Sequence, residues 1–324
     1  MKTIEVQEFG DSSVIESTER DVPEPGPGEV RIAVEAAGVN FADIMQRRGH
    51  YHGGPEPPYV PGMEAAGTVD AVGEGVDREV GERVVAMSEG CYAEYVTANA
   101  AALLDVPESM SFAEAAGFPV QFLTAHNVLF ECGNLTADER VLIHAAAGGV
   151  GTAATQLARE AGADVFGTAS TQEKLDLAER LGVDHPIDYT ETDFVDAVVD
   201  ASDGEGVDLV LDGVGGDTSA ESLDCLVPFG RMVVYGAASG RPGTLDTATL
   251  LFDNYTVHGY HLGQSVQRKP DRVFGAVPHL TELLTSGDLE VIVGETFPLD
   301  AAADAHEYVE DRKSTGKVVL EPQH

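Results

Sequence analysis

The stretch from residue 141 to residue 159 constrains the fold of this chain more than any other part of the sequence. The apolar run 141–143 predicts a short strand, and the glycine-rich segment 148–151 predicts a tight turn. Apolar residues at helical spacing follow at once, so the turn opens a helix. A glycine-rich turn between a strand and a helix is typical of sites that bind the pyrophosphate of a dinucleotide.

The turn departs from the strict pattern G-x-G-x-x-G at its first position, which holds Ala146. Gly148 occupies the second position, where the lack of a side chain lets the backbone approach a phosphate. Gly151 occupies the third position, where a helix packs closely on its strand. The alternative interpretation is a strand-to-helix turn of an α/β protein that binds no nucleotide.

Predicted strands and helices alternate from this turn to about residue 260. Apolar runs predict five further strands, at residues 164–169, 185–189, 207–212, 230–236 and 256–260. Helical patterns lie between them, at residues 174–181, 194–199 and 219–226. Strands that alternate with helices at this spacing favour a parallel, doubly wound sheet of the α/β class.

The first hundred residues follow another pattern, in which short alternating strands are separated by glycine-rich turns. Two late strands, at residues 291–293 and 317–320, belong naturally to the same β-rich domain. A dinucleotide-binding domain is then inserted into a β-rich one. We predict a first part over residues 1–120, an inserted domain over residues 121–262 and a returning part over residues 263–324.

The charge balance excludes one class of function. The 324 residues include 19 Lys and Arg against 56 Asp and Glu, and the formal net charge is −37. A nucleic-acid-binding protein needs a basic patch to neutralise phosphates, so we expect no nucleic-acid partner. So large a charge predicts a salt-adapted protein, since molar salt screens charges within about 3 Å. An ordinary acidic protein is the alternative.

The cysteines and the hydropathy pattern predict a cytoplasmic protein. Cys91, Cys132 and Cys225 are scattered, with neither the spacing of a disulfide framework nor a C-x-x-C metal motif. This usage fits a reducing compartment. The sequence shows no signal-peptide pattern and no long uncharged apolar run, so we expect no membrane span.

The end of the second predicted strand of the inserted domain indicates which dinucleotide binds. A site for NAD usually has an acid there, whereas this strand ends in Gly-Thr-Ala-Ser at residues 167–170. Lys174 lies one helical turn further on, and Ser170 and Tyr189 add hydroxyl groups. These three side chains predict binding of the 2′-phosphate of NADP(H). The alternative for Lys174 is a solvated helix residue.

The sequence predicts no metal site. Zinc sites need clustered Cys, His and carboxylate ligands. The local candidates are two histidine pairs, His50 with His52 and His258 with His261, and neither has a third ligand nearby. Surface histidines are the favoured interpretation of both pairs. Neither the serine elbow G-x-S-x-G nor a P-loop is present.

Several motifs together carry a resemblance to a known family over nearly the whole chain. They lie at residues 38–43 with 48, 49 and 51, and at residues 61–67, 123–125, 145–151, 212–216 and 316–320. With these motifs the chain resembles the zinc-independent quinone oxidoreductases, the relatives of zeta-crystallin in the medium-chain dehydrogenase/reductase superfamily. The resemblance implies a GroES-like catalytic domain around an inserted Rossmann domain, and a homodimer.

The resemblance also implies that no zinc is bound. The zinc-dependent relatives carry a cysteine at the position of Asn40 and a histidine at the position of Met63. They also contain a lobe with four cysteines, where this chain has only Cys91.

The same resemblance implies where NADP(H) binds, in the cleft between the two domains. The pyrophosphate would be held by Gly148, Gly149, Val150 and Gly151. The nicotinamide and its ribose would be flanked by Gly236, Ala237, Gly259, Tyr260 and His261. The catalytic pocket would be lined by Asn40, Tyr51 and Thr124. A helix cap is the alternative role of Asn40, and a loop anchor is that of Tyr51.

The function that follows is electron or hydride transfer from NADPH to a quinone. A quinone needs no acid–base pair from the protein, because solvent can protonate the product oxygens. Reduction of an activated alkene (an enal, an enone or a 2-enoyl thioester) is the close alternative, with Tyr51 as proton donor. An NADPH-binding protein with little turnover is the alternative from another class.

Overall fold

The computed structural model describes residues 1–322. Its strands, in chain order, are β1 (Lys2–Val6), β2 (Ile15–Glu19), β3 (Glu29–Val39), β4 (Glu64–Val72), β5 (Arg83–Met87), β6 (Tyr95–Asn99), β7 (Leu104–Asp105), β8 (Arg140–Ile143), β9 (Asp164–Ala169), β10 (His185–Asp188), β11 (Val207–Asp212), β12 (Leu226–Val234), β13 (Thr256–Gly259), β14 (Val293–Pro298) and β15 (Lys317–Glu321). Its α-helices are α1 (Phe41–Arg47), α2 (Phe112–Ala116), α3 (Pro119–His126), α4 (Gly149–Glu160), α5 (Gln172–Leu181), α6 (Phe194–Ala201), α7 (Asp217–Glu221), α8 (Thr247–Asp253), α9 (Leu262–Arg268), α10 (Pro270–Phe274), α11 (Val277–Ser286) and α12 (Ala302–Glu310).

The chain divides into two compact units. The first unit comprises residues 1–120 together with the chain from Val291 onwards. Its main sheet has the strand order β14-β15-β3-β4-β5-β7, and β6 also pairs with β3. The central strand β3 alternates between partly exposed and buried residues over much of its length, and Val30, Ile32 and Val34 are buried in the core. This is the β-rich unit that the sequence predicts.

The second unit, Gln121–Glu290, contains the predicted parallel sheet. Its six strands lie in the order β10-β9-β8-β11-β12-β13, and every neighbouring pair is parallel. Counted within the unit, this order is 3-2-1-4-5-6, the Rossmann order. The strands are buried because helices pack on the sheet, and Leu142, Phe166, Val210 and Met232 belong to one core cluster. The predicted fold class is therefore confirmed.

The second predicted domain boundary, between residues 262 and 263, is wrong. The structure keeps the chain in the second unit until Glu290. The physical reason is packing and hydrogen bonding: Leu280 of α11 is fully buried, and the side-chain amide of Gln156 on α4 pairs with the backbone of Glu290. Its Nε2 donates to the Glu290 carbonyl at 3.0 Å, and its Oε1 accepts from the Glu290 N–H at 2.9 Å.

The helical segment that begins at Ser111 is interrupted in the structure. Ser111 begins α2 with a capping box, in which its N–H donates to the Glu114 carboxylate at 2.7 Å. The helix ends at Ala116, and Pro119 starts α3. Proline has no N–H to donate within a helix and is favoured at a helix start, so it marks the new beginning.

No helix within residues 1–322 is long and apolar enough to cross a membrane.

Candidate active site

The glycine-rich turn lies between β8 and α4, at the carboxyl end of a central strand of the parallel sheet. A Cβ atom on Gly151 would lie 2.2 Å from the carbonyl oxygen of Ala145 and 2.8 Å from the Cα of Ala146. No side chain fits at that distance, so glycine is required where α4 approaches the turn.

Alanine at the first motif position is explained by the local geometry. The residue with a left-handed backbone is Ala145, with φ of +52°, whereas Ala146 does not have a positive φ. The N–H of Ala146 donates to the Thr168 carbonyl at 3.0 Å, which ties the turn to β9. The small residue needed for this contact is Gly167, because a Cβ there would lie 2.9 Å from that of Ala146.

The first turn of α4 has the properties of an anion site. Gly148 is the N-cap residue, and the N–H groups of Gly149, Val150 and Gly151 precede the first intrahelical hydrogen bond. The first turn contains no acidic residue that would repel a phosphate. Free N–H groups and the positive end of the helix dipole favour a pyrophosphate here.

The buried side chain of His144 supports this turn through hydrogen bonds. His144 is 2% exposed, and its ring nitrogens lie 3.1 Å from Thr168 Oγ1 and 2.9 Å from Ser222 Oγ. Burial lowers the pKa of His144 to about 4, so the imidazole is neutral at neutral pH. The hydroxyl of Thr168 also accepts the N–H of Ala145 at 3.3 Å. Sequence reasoning missed this histidine, although it stands directly after the apolar run of β8.

The turn after β11 is built around Asp212. This carboxylate is fully buried, and its Oδ1 accepts the N–H groups of Val214 at 2.8 Å and Gly215 at 3.0 Å. Its Oδ2 accepts the hydroxyl of Ser219 on α7. The turn is thereby held in one conformation at the same edge of the sheet as the glycine-rich turn.

The three residues predicted for the 2′-phosphate belong to neighbouring elements of the second unit. Ala169, the last residue of β9, pairs with Asp188 of β10, and the N–H of Tyr189 donates to the Ala169 carbonyl at 3.2 Å. Tyr189 therefore lies beside the segment that carries Ser170. Lys174 belongs to the first turn of α5, where its N–H donates to the N-cap Thr171 at 3.4 Å. Tyr189 is 40% exposed.

The residues predicted around the nicotinamide follow β12 and β13. These strands are parallel, so the segments after them, Gly236–Ala237 and Gly259–His261, lie at the carboxyl edge where open α/β sheets bind ligands. A Cβ on Gly236 would lie 2.7 Å from the Gly213 carbonyl oxygen, whereas a Cβ on Gly259 would have no atom within 4 Å. Tyr260 is tied to β12 by its N–H, which donates to the Val234 carbonyl at 2.9 Å. His261 caps α9 by accepting the N–H of Gln264 at 3.1 Å.

In the first unit, Asn40 does not present a free side chain. Lys317 donates from Nζ to Asn40 Oδ1 at 2.8 Å, and Asn40 donates from Nδ2 to Glu64 Oε1 at 3.0 Å. Lys317 also forms an ion pair with Glu64, and both side chains are essentially inaccessible to solvent. Asn40 therefore holds a buried ion pair together and stands at the N-cap position of α1. This is the position of the helix-cap alternative, and the role of Asn40 in the catalytic pocket stays a prediction.

Glu64 and Lys317 were missed as members of the site. Their signal in the sequence is a charged residue at the start of an otherwise apolar run, at Glu64-Ala-Ala and at Lys317-Val-Val-Leu. The Glu64 carboxylate also accepts the N–H of Val120 at 2.9 Å from its Oε2. The cluster thus joins the starts of β4 and β15 to the end of the unit's first segment.

A second buried network ends on Asp43 of α1. Arg47 lies 3.3 Å from Nδ1 of His306, and because a guanidinium only donates, the histidine proton sits on Nε2. That nitrogen lies 3.3 Å from the hydroxyl of Tyr92, which donates to Asp43 Oδ2 at 3.1 Å. Burial raises the pKa of Asp43 to about 7 and lowers that of His306 to about 3.

The remaining pocket residues, Tyr51 and Thr124, belong to different units. Tyr51 lies half-buried in the loop after α1, and burial together with the negative charge of Asp43 raises the pKa of its phenol. The phenol therefore keeps its proton at neutral pH. Thr124 lies on α3 of the second unit and is 6% exposed.

The donor groups do not fit a zinc ion. Among residues 1–322 there is no group of three or more His, Cys, Asp or Glu side chains able to hold a metal. The Glu64 carboxylate, which accepts a hydrogen bond from the Asn40 amide, already binds the ammonium of Lys317. A second cation beside that ammonium would be repelled.

Comparison with known proteins matches both units. The model described as alcohol dehydrogenase GroES-like domain matches residues 26–108, and the model described as zinc-binding dehydrogenase matches residues 149–281. The synaptic vesicle membrane protein VAT-1 homolog of Homo sapiens is 40% identical over 319 residues, which are 93% of this chain and 80% of that protein. The 2-haloacrylate reductase of a Burkholderia species is 38% identical and covers 93% of both chains.

Solved structures confirm the fold. The crystal structure of Escherichia coli quinone oxidoreductase complexed with NADPH superposes with a TM-score of 0.94 and 33% identity. The match covers 99% of this chain and 100% of that one.

Proposed function

The chain belongs to the quinone oxidoreductase-like family of the medium-chain dehydrogenase/reductase superfamily, and we propose that it transfers electrons from NADPH to a quinone without zinc. It is an oxidoreductase that uses NADP(H). The main observation behind the proposal is the glycine-rich turn of a parallel sheet with the Rossmann strand order, where position 151 has room only for glycine. The similar NADPH complex from Escherichia coli supports the choice of cofactor.

The residues for each part of the cofactor are assigned by position in the fold. The first turn of α4, formed by Gly148, Gly149, Val150 and Gly151, would hold the pyrophosphate. The 2′-phosphate would be bound by Ser170, Lys174 and Tyr189. The nicotinamide and its ribose would be flanked by Gly236, Ala237, Gly259, Tyr260 and His261. The bound cofactor supplies the hydride; the protein supplies binding and orientation.

In quinone reduction the side chains of the protein would bind and orient the reactants. The phenol of Tyr51, which keeps its proton, would donate a hydrogen bond to an acceptor oxygen. Thr124 would line the nicotinamide pocket. Asn40 contributes indirectly, because its amide holds the Lys317–Glu64 ion pair and starts α1. No acid–base pair is needed, since solvent can protonate the reduced oxygens.

Independence from zinc is supported by the donor set. Asn40 stands where the zinc-dependent relatives have a cysteine, and Met63 stands where they have a histidine. The Asn40 amide is engaged with Lys317 and Glu64. By the same family resemblance we propose a homodimer, which sedimentation velocity would test.

A second candidate function is reduction of an activated alkene. The similarity to a 2-haloacrylate reductase favours it. This reaction needs a proton at the α-carbon as well as a hydride, and the protonated phenol of Tyr51 is the candidate donor.

The deciding experiment is NADPH oxidation in molar potassium chloride, with a simple benzoquinone and a short enone tested in parallel. Turnover of the quinone alone supports quinone reduction, and turnover of the enone alone assigns the protein to the alkene reductases. Turnover of neither, with NADPH bound, indicates a binding protein.

A Tyr51→Phe variant separates the two enzyme functions, with Tyr308→Phe, which alters a ring packed on Phe297, as control. Loss of enone reduction with unchanged quinone reduction assigns the proton to Tyr51. An unchanged rate with both substrates removes Tyr51 from the mechanism.

A further inference from the structure

Gln121, the third residue of α3, is buried without a partner for its carbonyl oxygen. The residue is 4% exposed, and within residues 1–322 its Oε1 has no hydrogen-bond partner. A buried acceptor left unpaired costs about 1–3 kcal/mol. A folded protein retains such a group most readily where a ligand supplies the missing donor.

The amide of Gln121 lies directly against the first turn of α4. A Cβ atom on Gly149 would lie 2.3 Å from Nε2 and 2.9 Å from Cδ of Gln121. Glycine at position 149 therefore makes room for this amide, beside the N–H groups that would bind the pyrophosphate. Two independent features therefore lie side by side: the first turn of α4, which has no acidic residue, and the side chain of Gln121, whose Oε1 is buried and unpaired.

The position of Gln121 favours the nicotinamide half of the cofactor as the source of the missing donor. Beside its pyrophosphate a dinucleotide offers donors only through ribose hydroxyls, and beyond them through the adenine amino group and the nicotinamide carboxamide. Thr124 follows Gln121 by three residues on α3, so both side chains lie on one face of the helix. In the proposed function, Thr124 lines the nicotinamide pocket.

We propose that Gln121 is a cofactor-binding residue whose Oε1 accepts a hydrogen bond from the nicotinamide half of NADPH while the pyrophosphate rests on the first turn of α4. The proposal rests on the proposed function, since it requires NADPH in this site. It adds a residue that fixes the reacting end of the cofactor.

Gln156 provides a matched control, because it is a buried glutamine of the same unit whose amide is fully paired within the protein. It is 2% exposed, and its Nε2 donates to the carbonyls of Thr152 and Glu290, each at 3.0 Å. Methionine fills nearly the same volume as glutamine without its polar atoms. Gln121→Met removes an unpaired acceptor, whereas Gln156→Met breaks several hydrogen bonds.

The test measures the melting temperature of each variant and calorimetric titrations with NADPH and with adenosine 2′,5′-bisphosphate, a fragment without the nicotinamide half. For Gln121→Met we expect an unchanged or higher melting temperature, a Kd for NADPH about tenfold higher, and an unchanged Kd for the fragment. For Gln156→Met we expect a melting temperature several degrees lower and unchanged binding of both ligands by the folded protein.

Gln121→Glu is a second variant of nearly the same shape, and its negative charge beside the first turn should weaken NADPH binding by more than tenfold. Unchanged NADPH affinity in both Gln121 variants would overturn the inference alone. Equal losses for NADPH and the fragment in Gln121→Met would also overturn it. A wild-type protein that binds neither ligand overturns the proposed function and this inference with it.

Discussion

The ammonium nitrogen of Lys317 lies 2.8 Å from Oδ1 of Asn40, in the buried interior of the first unit. The same ammonium binds the Glu64 carboxylate, which has no solvent-accessible surface. Two opposite charges are thus buried together, and an asparagine satisfies part of the hydrogen-bonding capacity of each. The arrangement places a fixed cation beside the position where zinc-dependent relatives have a ligand.

Replacing Lys317 with methionine should destabilise the protein strongly, because Glu64 would remain buried without its counter-charge. We expect the free energy of unfolding in urea to fall by about 3–5 kcal/mol. Lys313→Met is the control, since Lys313 pairs with Asp311 on the surface, and it should have almost no effect. Adding Glu64→Leu to Lys317→Met should recover most of the loss. Full stability of the single variant would contradict the role of the ion pair.

Two glycines of the α4 turn should respond differently to alanine. A Cβ on Gly151 would lie 2.2 Å from a backbone oxygen, whereas one on Gly148 would lie 3.2 Å from the same atom. Gly151→Ala should lower the free energy of unfolding by about 3 kcal/mol. Gly148→Ala should keep the stability and weaken NADPH binding, because its methyl group occupies the approach to the pyrophosphate. Urea unfolding and NADPH titration check both, and equal stability losses would contradict the assignment.

Lys174→Ala should weaken binding of NADPH about tenfold or more and leave binding of NADH nearly unchanged, because only NADPH carries the 2′-phosphate. The structure places Tyr189 beside the segment that contains Ser170, which supports a shared phosphate site. Lys313→Ala removes an exposed lysine elsewhere and serves as the control. Fluorescence titrations with both nucleotides measure the effect, and equal losses for the two would exclude this role of Lys174.

Asp43 should make the stability depend on pH. Burial raises its pKa from 3.8 to about 7 in the folded protein, so the folded state binds the proton more tightly than the unfolded state. This contribution is complete below about pH 4 and is lost as the pH rises through 7. Relative to Asp43→Asn, the wild type should lose up to about 1.4 kcal/mol of stability per pH unit in that range.

The comparison is made by urea unfolding of both proteins at several pH values. The surroundings of Asp43 are the same in both proteins. Asn40 and Tyr92 donate hydrogen bonds to Asp43. The charged or titratable groups around it are Arg47, Tyr51, Tyr59, Glu64, Cys91, His306 and Lys317. Parallel stability curves for the two proteins would show that Asp43 does not titrate in this range.

The net charge of −37 should make the protein more stable in concentrated salt. Raising potassium chloride from about 0.1 M to about 1 M shortens the screening length from about 10 Å to about 3 Å, which weakens repulsion among the acids. We expect the melting temperature to rise as potassium chloride is added. A series with an uncharged osmolyte serves as the reference. A melting temperature that falls as the salt is added would contradict salt adaptation.

Much of the second unit was predictable because its signals are local. Strands and helices of a parallel sheet alternate along the chain, and the glycine turn with its strand and helix occupies one continuous segment, residues 140–160. The acid-free end of β9, with Ser170 and Lys174, is likewise a feature of one segment.

The sequence by itself thus determined the α/β class, the Rossmann alternation and the position of the glycine turn, since each depends on neighbours along the chain. Only the tertiary structure decided the partners of Asn40, because Lys317 lies 277 residues away and meets it through the pairing of β15 with β3. It also decided that Gln121 rests on Gly149 and that the second unit extends to Glu290. Hydrogen-bond partners and burial depend on packing between distant segments, and no pattern within one segment contains that information.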